Sequence, residues 1–207
     1  MHWYFILSLG TLVICLFFCL YHFIRLVRYG APTDFSHKLG NTDAAIKYSF
    51  TGAMSPSKKE SAYLHLPTYS AGILYHIGTF LAIIIFFLQL TGVRFPVFLA
   101  YIFAFILIIT AISGTGILIK RISIRILRKL SCPDDYISNI LVTLFQLITA
   151  LLLTGHIYQS VYYIAAALLL IYIPVGKLRH LVYFFAARYQ LGYFYGWRGS
   201  WPPSKKY

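Results

Sequence analysis

Long apolar runs recur five times along the chain, at residues 3–24, 71–91, 97–119, 136–154 and 161–185, with polar or basic residues between them. None alternates apolar and polar with a period of two, so transmembrane β-strands are not indicated. Each run is close to the ~20 residues that a helix needs to cross a bilayer. Lipid leaves unpaired backbone groups unsatisfied, and a helix pairs them within one segment. The pattern therefore predicts an all-α integral membrane protein: a five-transmembrane-helix bundle forming one domain over residues 1–207. The only long connection, residues 25–70, is polar and carries Gly, Pro and Ser. It is expected to lie on the inner, cytoplasmic surface with short helical pieces, and residues 190–207 to form a cytoplasmic tail.

Composition agrees. The chain is 59% hydrophobic and 11% charged, where soluble domains are about a quarter charged. Charge then sets an orientation. Of the 18 Lys and Arg residues, all but Arg94 fall in the first and third connections and around the end of the last run. These lie on one side of a five-span chain, so the positive-inside rule puts the N-terminus outside and the C-terminus in the cytoplasm. The first run lacks a basic leader and a small-residue cleavage site, and is expected to be a retained helix rather than a signal peptide. The expected location is a bacterial or archaeal cytoplasmic membrane.

All five acidic residues share the basic side. Its excess of cations has two readings: retention with attraction to anionic lipid, or a docking face for an acidic partner. Nucleic acid is not expected, because the bases hug the membrane ends. Cys15 and Cys19 share a helix face and Cys132 stands alone, which makes neither a zinc nor an iron–sulfur set. Intramembrane acids, paired broken helices and inverted repeats, the marks of a transporter, are missing from the sequence.

Seven histidines remain. His37 lies in the polar loop, His2 and His156 at the outer rim, and His22 and His65 near the inner rim. Interfacial imidazoles are cheap. His76 and His180 are embedded in apolar runs, where ionisable groups are costly and tend to be functional. The second run enters from the inside, which puts His76 about 7–8 Å deep at ~1.5 Å per residue. The fifth reaches the same inner half near His180. One reading is two neutral histidines bonded to neighbouring helices. The other is a pair of imidazoles clamping a planar macrocycle, the bis-histidine ligation of haem b. Gly72 and Gly78 would let a flat ring approach the second helix. Lys177 and Arg179 are either propionate partners or helix-end bases that snorkel.

The stretches "LYHIGTFLA", "LSCPDDYIS" and "GKLRHLVYFFAARYQL" resemble the cytochrome b subunit family that includes the gamma subunit of respiratory nitrate reductases. Its cousins are the membrane subunits of heterodisulfide reductases and of sulfite-reduction-associated complexes. The resemblance covers roughly residues 3–195. It implies that His76 and His180 ligate the haem nearer the cytoplasm, and that electrons pass between membrane quinol and a cytoplasmic iron–sulfur subunit. Nitrate reductase relatives carry two further histidines, where this chain has Phe86 and Tyr162. Neither ligates a low-spin haem in the usual way, so one haem is expected.

The expected function is thus a haem b membrane subunit of a quinone-linked redox complex, not catalytic alone. The alternative is a membrane anchor or assembly subunit without haem. His22, Tyr63, His65 and Tyr75 are candidates to anchor a quinone oxygen, although interfacial tyrosines also form membrane belts. Arg121, Arg125, Trp197, Arg198 and Trp201 are candidates for partner docking, with interfacial anchoring as the other reading.

Overall fold

The computed structural model describes residues 2–29, 35–56 and 64–203, and these contain helices and no strand. The helices are α1 (Trp3–Tyr29), α2 (Thr42–Phe50), α3 (Leu66–Leu90), α4 (Val97–Ser123), α5 (Arg125–Lys129), α6 (Pro133–Leu153), α7 (Gln159–Val175) and α8 (His180–Trp197). Short 3₁₀ turns occupy Gly52–Met54 and Lys177–Arg179. Helices α1, α3, α4 and α6 are each long and apolar enough to cross a membrane. There are five such spans if the pair joined at residue 176 counts as one. These are the helices of a multi-pass membrane protein in length and composition. The long connection does carry helical pieces, α2 and the turn after it.

The fifth apolar run differs from a single straight span. Pro174 lies inside α7 and lacks the N–H that would continue the helical ladder. The Gly176 N–H still bonds Tyr172 O at 2.8 Å, but its backbone is then extended. The Tyr172 ring covers the face where a side chain at 176 would stand. The helix therefore stops at Val175, and α8 begins afresh at His180.

Two compact units make up the chain. The first holds residues up to Leu16 and Leu66–Leu178. Its core joins Leu12, Ala82, Ile85, Phe86, Leu107, Phe145, Tyr162 and Leu169. Small residues and hydroxyls bring its helices close. Gly78 of α3 backs onto the Thr110 side chain of α4, and Gly114 of α4 onto the Tyr75 ring. Both α3 and α6 end in Schellman turns, with Gly92 at φ 77° and Gly155 at φ 75°, a conformation that suits glycine.

The second unit holds Phe17–His65 and Arg179–Tyr207. Asn41 caps α2, its side chain accepting from the N–H groups of Asp43 at 2.9 Å and Ala44 at 3.0 Å. Helix α2 then crosses α8 at two glycines. A Cβ on Gly192 would lie 2.5 Å from Ile46 Cα, and one on Gly196 would lie 2.7 Å from Ala45 Cβ. The Ser49 hydroxyl donates to Arg188 O at 2.8 Å across this crossing.

Candidate functional site

Helix α3 presents His76 on an exposed face. Its Nδ1 lies 2.7 Å from Gly72 O, one turn earlier. A carbonyl only accepts, so Nδ1 carries the proton and the lone pair is left on Nε2. A backbone acceptor on Nδ1 is the usual way a ligating histidine is oriented. Rings of Tyr75 and Phe80 flank it, each with its centroid 6.4 Å away. Open space surrounds the position of a Cβ on Gly72, whereas Gly78 is filled against Thr110. Gly72 thus leaves room beside His76, and Gly78 serves helix packing.

His180 opens α8 in the second unit and is exposed. Beside it, the Arg179 guanidinium lies over the Tyr183 ring, 5.6 Å from its centroid. Lys177 belongs to the first unit and has an acid partner: its Nζ is 2.7 Å from Asp135 Oδ2. Arg121 approaches the other oxygen of Asp135 at 3.1 Å and also donates to Ser131 Oγ at 3.1 Å. Asp135 in turn accepts the Cys132 N–H at 3.0 Å, which caps α6 behind Pro133. A carboxylate in the first turn complements the helix dipole. Two residues singled out for haem and partner contacts therefore tie the ends of α4 and α7 to the start of α6.

The remaining candidates belong to both units. Tyr75 hydrogen-bonds through its hydroxyl to Asn139 O at 3.0 Å and to Thr143 Oγ1 at 3.1 Å. His22 is half-buried, and His65 and Arg125 are exposed. Tyr63 lies outside the described residues. Trp197 donates its indole N–H to Ser36 O at 2.9 Å and has Lys38 Nζ 5.8 Å from its ring. Trp201 packs on Tyr195 and Tyr48, with centroids 4.7 Å and 5.4 Å away. Arg198 lies 3.7 Å from the Phe194 ring centroid. These tail side chains are engaged within the second unit.

Phe86 and Tyr162 are core residues of the first unit. Their centroids are 6.4 Å apart, and Phe145 stacks on Tyr162 at 5.7 Å. Aromatic rings fill that place, and no space for a macrocycle is left between them.

One feature escaped the sequence reading. Gln146, fully buried in α6, donates through Nε2 to Thr79 Oγ1 at 2.9 Å and Tyr75 O at 3.2 Å. Its Oε1 accepts from Thr110 at 2.9 Å. Asn139, two turns earlier in α6, donates to Gly114 O at 3.2 Å. Residues 139, 143, 146 and 149 of α6 recur every three to four positions, a visible stripe of one helix face. Polar side chains inside membrane bundles join helices by hydrogen bonds.

Among the described residues, no three His, Cys, Asp or Glu side chains gather as a metal site. A porphyrin supplies four of its own nitrogens, so axial histidines suffice for iron. The chain matches no family model, no curated protein and no solved structure.

Proposed function

We propose that the chain is a haem b-binding membrane subunit that passes electrons between membrane quinol and a cytoplasmic iron–sulfur partner. Its N-terminus is outside, its C-terminus is cytoplasmic, and it crosses the membrane five times, the last time through a broken helix. The observation that carries this reading is the His76 imidazole, exposed in an apolar helix with Nδ1 held by Gly72 O at 2.7 Å. That bond leaves Nε2 as the ligating nitrogen. His180, at the start of α8, would be the second residue to hold the haem. When bound, the haem supplies one-electron transfer.

The protein's own residues do the rest. Gly72 keeps the surface beside His76 clear. The Phe80 and Tyr75 rings neighbour the imidazole, each with its centroid 6.4 Å away. Arg179, held on the Tyr183 ring, offers a guanidinium to a propionate. Quinol releases protons as well as electrons, and the spans carry no carboxylate away from their ends. Protons therefore leave through hydroxyl or imidazole groups near the inner rim, with His22 and His65 as candidates. Phe86, Phe145 and Tyr162 pack on one another where the relatives' further histidines would stand, which supports a single haem.

Ligand variants test this. His76→Ala and His180→Ala are each expected to abolish haem in the purified protein, and His156→Ala to retain it. Loss of haem in the His156 variant with retention in His180→Ala would overturn the pairing.

A further inference from the structure

Five basic residues of the second unit lie over aromatic rings. All five cation–aromatic stacks among the described residues lie there: Arg25 on Tyr29, Lys38 on Trp197, Arg179 on Tyr183, Arg188 on Phe184 and Arg198 on Phe194. Cations laid on rings beside apolar surface suit a membrane interface, where the ring sits among headgroups and the charge faces phosphate.

One face of α1 combines two bases with apolar side chains. Tyr21, Ile24, Arg25, Arg28 and Tyr29 share one face of α1 and line a groove of ≈ 340 Å³. Arg25 is held over Tyr29 at 5.5 Å from its centroid. Tyr21 and Ile24 are exposed, at 51% and 42%, so the groove runs from two guanidinium groups onto apolar surface. Along a helix, the step from Trp3 to Arg25 is about 33 Å at ~1.5 Å per residue, roughly one hydrocarbon thickness. With Trp3 at one interface, Arg25 and Arg28 stand at the other.

We infer that the groove of Arg25 and Arg28 binds the phosphodiester of an anionic glycerophospholipid, with its acyl chain along Tyr21 and Ile24. The inference rests on the membrane reading above but not on haem. Two cations meeting an apolar strip fit a molecule that is anionic at one end and apolar at the other. An acidic protein surface would leave Tyr21 and Ile24 unmatched.

The test is native mass spectrometry of the full chain in detergent, titrated with phosphatidylglycerol or phosphatidylcholine of the same acyl chains. Wild type is expected to retain phosphatidylglycerol in preference. Arg25→Gln with Arg28→Gln is expected to reduce that preference about 25-fold, at roughly fivefold per base. Arg128→Gln with Lys129→Gln removes the same charge elsewhere and is expected to leave the preference unchanged. Equal losses in both double variants would mean diffuse charge attraction and would overturn the site, as would equal retention of the two lipids by wild type. Should the first variant not fold, phenylglyoxal labelling of wild type decides. Phosphatidylglycerol is expected to slow modification of Arg25 and Arg28, while phosphatidylcholine and soluble glycerol phosphate do not. Protection by glycerol phosphate alone, or by neither lipid, would overturn the inference.

Discussion

Gln146→Leu probes the polar seam that joins α3, α4 and α6. The substitution keeps the side-chain volume nearly constant and removes three hydrogen bonds, to Thr79, Tyr75 O and Thr110. The groups left behind are not stranded. Thr79 already donates to Tyr75 O at 2.8 Å, and the single Thr110 proton, shared between Gln146 Oε1 and Leu107 O, keeps Leu107 O at 3.0 Å, so no hydroxyl loses its last partner. The loss is then that of the interhelical bonds themselves, at about 0.6 kcal/mol each inside a membrane bundle. The expected destabilisation is about 2 kcal/mol, roughly 25-fold in the unfolding equilibrium. Reversible unfolding in mixed detergent micelles, followed by circular dichroism, measures it. A double-mutant cycle with Thr110→Val isolates one bond and is expected to give a coupling near 0.6 kcal/mol. Unchanged stability in Gln146→Leu, or zero coupling in the cycle, would refute the view that this seam joins the helices.

Three further outcomes are expected. Gly196→Val forces a side chain into Ala45 and the backbone at Thr42. It should destabilise the second unit by about 1–3 kcal/mol, read as faster proteolysis within residues 35–56. Asp135→Asn removes both ion pairs, whose bases are 35% and 50% exposed and whose carboxylate is 12% exposed, together with a first-turn charge, and should cost about 1–2 kcal/mol in thermal unfolding. Tyr162→Phe removes a buried hydroxyl with no hydrogen-bond partner among the described residues, and should leave stability unchanged or raise it by about 1 kcal/mol; a clear loss would reveal a partner for that hydroxyl.

The helices were legible because apolar length is a strong local signal, and four of the five runs fall within helices that differ from them only at the ends. The break at Gly176 was less visible. Pro174 suggested a kink, but a proline alone does not decide between a bent span and a stop, and Tyr172 folding onto Gly176 decides it here. Side-chain commitments were the least legible. Trp197 and Trp201 read as partner-docking or interfacial anchor residues, and the 35–56 segment instead folds against them through Ser36 and Tyr48, a long-range contact that no local pattern encodes. Lys177 read as a propionate partner or a snorkelling helix-end base, and its partner is Asp135, far away in sequence. His76 was legible as an oddity in an apolar run, while its orienting carbonyl needed the helix itself.

The most direct test of the central proposal is the haem content of the purified wild-type chain, taken from its reduced-minus-oxidised spectrum and referred to protein concentration. One b-type haem per chain is the expected result. A colourless protein would contradict the cytochrome reading and leave an anchor subunit, and two haems per chain would contradict the assignment of His76 and His180 as the sole ligand pair.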